Sequence, residues 1–557
     1  MECVPLAPGG DEHPGDAHRA AWARALPRSV RHRLGAAHGR ERGSHLAGGG
    51  GVPRGAAVLR ADGGLRGVSV RVCLVPLDDR PATWGDWVRL AELAGLEVTS
   101  PPAELLGRRR RPADVEALWE WLEEARALDA AFCAAEMLLY GGLVASRVGF
   151  EPQRVVIERT RRLVQLARKL AAPVYVSTAV LRAPAHPGGE EPDYWAHYGP
   201  TLAAYSELRG REELGSRSEP TLVQDLLEDV PARVVEDFLW RRRRNLLAQL
   251  LLVASAARGA FRYLLVGQDD TAPWGWPRAD LGALQAVWEA LGRPQSVGFG
   301  HGADELGQRL LARWLNGRLG NAPRVAVRYT WPEARRAVPL YEGDPLEDTV
   351  ASHLASCGVQ MAEDADVVLW VHNFPDRQEE AEAQRHEPDG AVQAVVEAVE
   401  AEERLLAVAD VRYANGADGA LVRALLDRPE LVRRLAGYAG WNTASNTLGS
   451  ALAQLVVVHH LRAGRLSSDG ADARRRALLL HRLVHDWGYA AVVRPKLRAW
   501  HRGPAEPGPR EDALAAEAQG LVEREVLPVL EPAFPGVRCA GVRFPWGRLF
   551  EAEVDVR

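Results

Sequence analysis

The chain has 557 residues, 47% of them hydrophobic and 26% charged, with a formal net charge of −5; this balance belongs to a globular protein and excludes a global basic field for nucleic acid or an anionic membrane surface. Five cysteines (Cys3, Cys73, Cys133, Cys357, Cys539) stand far apart with no Cys-x-x-Cys pair, which excludes a cysteine zinc site and a disulfide framework and fits a reducing cytoplasm. Lysine is confined to Lys169 and Lys496, so a Walker-type phosphate loop is excluded as well.

Residues 1–68 come first, with glycines at 48–51 and no sustained apolar period. They lack the continuous apolar stretch of a secretion signal and read as a disordered leader, or as a mis-called start upstream of Val68 or Val70. The longest apolar run elsewhere, 246–257, is interrupted by Gln249 and is too short to span a bilayer. The expectation is a cytoplasmic protein with neither nucleic acid nor membrane as partner.

From Val70 onward, short apolar or β-branched runs predict strands at 70–77, 96–99, 130–135, 174–179, 262–267, 296–300, 324–329, 366–371 and 405–409. Amphipathic helical stretches alternate with them, at 114–127, 155–170, 279–291, 303–316 and 389–403. This alternation predicts a parallel sheet with crossover helices, and buried parallel strands are near-continuous apolar runs, as these are. Two regions break the rhythm. Residues 183–260 hold no convincing strand and lead into a long helix at 233–257 containing Arg241–Arg244. After 420 the chain reads as mostly helical through 486, followed by a Pro/Gly-rich loop at 501–509 and a short β-like tail. The expected organisation is a leader (1–68), an α/β catalytic domain (69–420) with a helical insertion (183–260), and a mostly helical C-terminal region (421–557). The expected architecture is a TIM-like parallel α/β barrel; nine strands is one too many for a plain barrel, so a doubly wound parallel sheet, in one or two domains, is the alternative. The Arg108–Arg111 and Arg241–Arg244 runs read as solvated helix faces.

In parallel α/β proteins the chemistry gathers at the C-terminal ends of the strands. The first strand ends in Asp78-Asp79-Arg80, the third runs into Glu136, Tyr140 and Arg147, and the fifth ends in Asp269-Asp270. The sixth ends in His301, Asp304 and Glu305, the eighth in Asn373, and the ninth in Asp410 with Asn415 and Asp418 after it. One aspartate after a strand is commonly a helix N-cap; six acidic or amide-bearing ends together predict an acid-lined cleft. At the strand-to-loop junction two adjacent carboxylates can face the same cleft, and their repulsion raises one pKa, as general acid catalysis requires. The same pair could hold a divalent cation through oxygen ligands; no resident cofactor is assigned. Gly298-x-Gly300-x-x-Ala303 is a weak dinucleotide-loop match, lacking the acidic strand end about twenty residues on. Trp274, Trp276 and Trp441 offer indoles for sugar stacking. Asn442 and Asn446, four apart, share a helix face and offer amides to hydroxyls.

The segments VPLDDRP, LLYGGLVASR, QDDTAPWG, GHGADE, ADVRYANGAD and YAGWNTASNTLG resemble, in order and over about 70–557, the bacterial domain-of-unknown-function family 4127, which has no activity to carry over. A further likeness is to glycoside hydrolase family 84, β-N-acetylglucosaminidases with a TIM barrel. It implies that Asp269 positions the substrate's acetamide, that Asp270 is the acid/base, that Asn373 in LWVHNFP binds sugar and that Asp410 ends the following strand. The first strand departs from that family, reading PLDDRP in place of a Gly-Arg-Pro-Trp type turn. The functional expectation is a hydrolase cleaving a glycosidic bond of a small sugar or glycan, with Asp269 and Asp270 catalytic. Substrate contacts are expected from Asp78, Asp79, Arg80, Glu136, Tyr140, Arg147, His301, Asp304, Glu305, Asn373, Asp410, Asn415, Asp418, Trp441, Asn442 and Asn446. The alternatives are a metal-dependent hydrolase or lyase and a non-catalytic sugar-binding protein.

Overall fold

The computed structural model describes Leu65 and residues 69–186, 188–213, 220–384, 390–500 and 511–557. The expected leader (1–68), Leu65 apart, and the expected loop at 501–509 lie outside the described residues.

Each apolar run named above becomes a strand, because a strand covered on both faces must be apolar along its whole length. The first half supplies β1 (Arg71–Val75), β2 (Glu97–Thr99), β3 (Ala130–Ala134), β4 (Val174–Val180), β5 (Tyr263–Gln268) and β6 (Val297–Phe299). They form one all-parallel sheet in the order β2-β1-β3-β4-β5-β6, with Leu74 opposite Phe132 and Val266 opposite Thr178. The second half supplies β7 (Arg324–Tyr329), β8 (Gln360–Met361), β9 (Val367–His372), β10 (Glu379–Glu380), β11 (Leu405–Asp410), β12 (Tyr413–Ala414) and β13 (Gly437–Ala439). A second parallel sheet runs β13-β11-β9-β7-β8, while β10 and β12 pair separately. The chain ends in an antiparallel hairpin of β14 (Cys539–Arg543) and β15 (Glu553–Val556).

Counted by its own members, each sheet follows the same order, second strand at the edge, then first, third, fourth and fifth, and the first sheet adds a sixth. The barrel expectation is therefore corrected to two open, doubly wound sheets. The chain lays its second strand on one side of the first and its third on the other, and that reversal leaves two edges where a barrel would close. The last strand of the second sheet, β13, lies beyond residue 420, inside the stretch read as helical.

The two sheets share a central helical layer. Helix Leu306–Leu319 covers the first sheet, helix Ala444–Arg462 covers the second, and the two pack on each other. Leu310, Leu315, Leu448, Leu452 and Leu455 from these helices are buried in one cluster with Leu74, Phe132, Leu369 and Ala407 from the strands. One core thus runs through both halves.

Between β4 and β5 the chain is helical, as expected: Trp195–Glu213, Pro220–Leu227 and Ala232–Ala256. Trp195, Leu202, Tyr205, Phe238 and Trp276 give this insertion its own small core. Arg241, Arg242 and Arg244 are buried there, and only Arg243 of that run is exposed. Arg242 pairs with Asp280, Arg241 with Asp237 at 2.7 Å, and Arg244 donates to the Ser146 carbonyl at 2.6 Å. The expectation of a solvated face fails because these side chains satisfy buried acids and carbonyls. Arg108–Arg111 is likewise no helix: Arg108 and Arg111 exchange backbone hydrogen bonds of 2.9 and 3.0 Å across a turn. Among the described residues no helix is long and apolar enough to cross a membrane.

Candidate functional site

Parallel strands put all their carboxyl ends on one side, and the shared helical layer turns that side of both sheets toward the same space. A cavity of about 530 Å³ opens there. The first sheet contributes Arg80 after β1, Arg147 after β3, Arg182 and Glu190 after β4, Asp269 and Asp270 after β5, and Asp304 after β6. The second sheet contributes Tyr341, Glu380, Glu382, Asn415 and Asn442. Arg494, Arg498, Arg548 and Phe550 come from the C-terminal region.

The carboxylates on the first sheet's side are held by arginines. Asp78 takes Nε of Arg80 at 3.0 Å and Nη2 at 2.8 Å, and Asp304 takes Nη1 at 3.2 Å and also Nη2. Arg147 pairs with Asp269, and with Glu190 at 3.2 Å. Arg182 pairs with Asp270 at 2.6 Å, Glu191 at 2.7 Å and Glu190 at 3.3 Å. Arg548 closes the network on Glu190 and, at 3.0 Å, on Glu551. Seven carboxylates (Asp78, Glu190, Glu191, Asp269, Asp270, Asp304, Glu551) thus share four guanidiniums (Arg80, Arg147, Arg182, Arg548).

That excess of buried negative charge separates the acids. Burial pushes the Asp304 carboxyl up to about 7; Arg80 opposes the rise, while Asp78, Asp269 and Glu551 add to it. Burial would raise Asp269 too, but Arg147 and Arg182 outweigh it and hold this carboxyl below its usual range. For Asp269, then, the arginines rather than repulsion within the Asp-Asp pair set the direction. Beneath the cavity, burial lifts Glu136 to about 7 against hydrogen bonds from the Thr178 hydroxyl (2.7 Å) and the Ala179 amide (3.0 Å). Its Oε2 has no hydrogen-bond partner.

The backbone marks the same place. Among the described residues eight non-glycines have positive φ, and five of them line this cavity: Arg109 (52°), Asp270 (30°), Tyr341 (66°), Asn415 (64°) and Asn442 (61°). Such conformations cost about 1–3 kcal/mol each and persist where neighbours over-determine them. Here the Asn415 amide donates to the Asn442 carbonyl and the Thr271 amide to the Tyr341 carbonyl, both at 2.8 Å. Strain of this kind collects at binding and catalytic sites.

Of the residues singled out in the sequence, Arg80, Arg147, Asp269, Asp270, Asp304, Asn415 and Asn442 line the cavity. Asp78 stands behind it on Arg80, and Asp79 accepts a 2.7 Å hydrogen bond from the Trp546 indole. Glu136 and Tyr140 are buried, with the Arg244 guanidinium 4.8 Å from the Tyr140 ring centre. His301 is buried against Asp344 (2.9 Å), and Glu305 against Arg309 (3.1 Å) and His353.

Five others do not line the cavity, and three of these, Asn373, Asp410 and Asp418, tie the strand ends of the second sheet. Asn373 is fully buried, accepting from the Trp331 amide at 2.9 Å and donating to the Trp331 carbonyl at 2.8 Å. Asp410 accepts from the Tyr438 hydroxyl and the Asp418 amide, both at 2.8 Å, and the Asp418 carboxylate meets His372 at 3.0 Å. Trp441 and Asn446 are buried at the start of helix Ala444–Arg462. Thr443 caps that helix, so Asn442 precedes it and does not share a helix face with Asn446 as expected. Trp276 lies in the core of the insertion and Trp274 is exposed, so neither lines the cavity. The Gly298 turn reflects packing: a Cβ there would sit 2.1 Å from the Tyr263 hydroxyl.

The sequence profile described as "Protein of unknown function (DUF4127)" matches residues 72–555. The chain belongs to this family. No curated protein and no solved structure matches it. The DUF4127 match begins in β1 and ends in β15, so it takes in both sheets, the cavity and the C-terminal hairpin. Sequence reasoning missed Arg182, Glu190, Tyr341, Glu380, Arg494 and Arg548 as members of this DUF4127 cavity. The Gly-Gly-Glu-Glu run after β4 was the one local signal for Glu190. Among the described residues no group of three or more His, Cys, Asp or Glu side chains is placed to hold a metal ion.

Proposed function

We propose that this cavity is the active site of a hydrolase that works by general acid–base catalysis on a small, hydroxyl-rich molecule, the bond cleaved being glycosidic. The observation that carries the reading is the splitting of two carboxyls in one cavity: Asp304 is pushed up to about 7 while Asp269, its neighbour in charge, is held down. Two acids driven apart in this way can serve as proton donor and ionised partner at neutral pH. The donor role passes from Asp270 to Asp304, because burial lifts the Asp304 carboxyl to about 7 even with Arg80 bonded to it. Asp269, fixed by Arg147, is the ionised group that acts as nucleophile or orients an internal one. Tyr341, Asn415 and Asn442 supply polar contacts to hydroxyls from the second sheet.

The test is hydrolysis of alkyl and activated aryl glycosides by the full chain and by two variants. Asp304→Asn is expected to lose about 10²–10⁴-fold on alkyl glycosides, where the leaving oxygen needs a proton, and much less on activated aryl glycosides. Asp269→Asn is expected to lose activity on both. Parent activity should fall as pH rises through about 7, where Asp304 loses its proton. Failure of every glycoside to react overturns the reading. Arrest of the parent enzyme by a chelator would establish the metal-dependent alternative instead.

A further inference from the structure

Two arginines on the cavity wall, Arg494 and Arg498, stand apart from the ion-pair network described above. Arg80, Arg147, Arg182 and Arg548 each have carboxylates of their own. Arg494 has none within hydrogen-bond distance, although it is only 1% exposed and lines the cavity. Its two Nη groups donate to main-chain carbonyls, those of Phe550 at 2.9 Å and of Asn415. Its Nε has no hydrogen-bond partner.

The nearest carboxylate oxygen is Glu382 Oε1 at 3.8 Å, and Arg498 already holds that same oxygen. Glu380, the other acid on this wall, has its two oxygens taken by the Tyr341 hydroxyl and by Asn415 Nδ2 (2.8 Å). Two guanidiniums four residues apart on one helix, Arg494–Trp500, therefore share one carboxylate oxygen at the cavity wall. A buried guanidinium with no close counter-ion carries uncompensated charge, and its planar fork suits carboxylate and phosphate oxygens.

We infer that Arg494 and Arg498 form an anion subsite, so that the molecule bound in the cavity is a polyol or sugar carrying a carboxylate or phosphate group. The inference rests on the cavity being the substrate site proposed above and adds the class of substrate. The acidic group of the ligand docks on the Arg494–Arg498 wall, and its hydroxyls face Asp269 and Asp304 across the cavity.

The test is calorimetric titration of the full chain with glucose, glucuronate and galacturonate, each repeated with inorganic phosphate as competitor. Glucuronate or galacturonate should bind at least about tenfold more tightly than glucose, as a charge-assisted contact provides. Displacement of the uronate by phosphate would mark the subsite as one for either anion, and failure of phosphate to compete would mark it as a carboxylate site. Arg498→Gln, at an exposed position, should remove most of the preference for the acidic sugar. Glu382→Gln should strengthen it by removing the competing carboxylate. Arg494→Lys keeps the charge but loses the fork, and should weaken uronate binding while thermal unfolding stays cooperative. Equal binding of glucose and the uronates, or variants that shift acidic and neutral sugars alike, would overturn the anion subsite and leave the cavity reading standing. If none of the three sugars binds, both fall.

Discussion

Replacing Asp304 by Asn tests the electrostatics of the cavity through stability alone, without knowledge of the substrate. The carboxyl moves from an ordinary 3.8 to about 7 on folding. At about 1.4 kcal/mol per tenfold, this makes the ionised side chain about 4 kcal/mol less favourable in the folded than in the unfolded chain. The sign follows from which state binds the proton. Between the two values the folded chain holds a proton that the unfolded chain has released, so this group's stabilisation is complete below about pH 4 and is lost as pH rises through 7. Of the total, about 3 kcal/mol is lost between about pH 5 and pH 8. Asn cannot titrate, so its stability curve lacks this slope whatever constant offset it carries. The assay is urea unfolding of both proteins across that range, where the core continuous through both halves favours one cooperative transition. The variant is expected to gain on the parent by about 3 kcal/mol from the acidic to the alkaline end. Parallel curves would refute the reasoning, since they would mean that Asp304 is ionised throughout.

Two further outcomes test the packing that positions the site. Arg242→Met leaves Asp280 buried without its partner and is expected to cost about 3–5 kcal/mol in urea unfolding, whereas Arg243→Met, at an exposed position, should stay within about 0.5 kcal/mol. Leu452→Ala, in the fully buried shared layer, is expected to cost about 2–5 kcal/mol and to lower the transition of both halves together, as followed by tryptophan fluorescence and amide exchange.

The strands were legible because a parallel strand buried on both faces needs no partner information to be seen: VVLWV is apolar at every position, and VYVSTA departs from that only at the small residues Ser177 and Thr178. What the runs do not encode is which strand lies beside which. The barrel reading followed from the alternation of strands and helices, with nine strands already one too many for it, and the reversal at β1 that opens the sheet leaves no mark on composition. β8 is two exposed residues and β13 is three residues beside a glycine-rich turn, too short to show a period. The acids of the site were legible as strand ends, since polarity gathers those ends whether the sheet is closed or open. The arginines were not, because an arginine-rich composition hides the few that matter. Nothing local tells buried Arg242 from exposed Arg243; their positions on the helix relative to the sheet decide it.

Residues far apart in the chain complete the site. The loop between β14 and β15 reaches back to the first sheet: the Trp546 indole donates to Asp79, its ring lies 4.7 Å from the Arg80 guanidinium, and Arg548 and Glu551 join the ion-pair network. This loop shuts water away from carboxylates that already outnumber their arginines. Removing water strengthens every charge–charge term, so the network is stabilised most by holding one proton, and the acid with the greatest excess of negative neighbours should be the one that keeps it. Asp304 fits that description, sharing Arg80 with Asp78 while Asp269 and Glu551 press on it. A set of fully matched salt bridges would be more stable, and all its acids would be ionised at neutral pH. The imbalance that costs stability is also what leaves a proton available in the cavity, as expected where a fold gives up stability for chemistry.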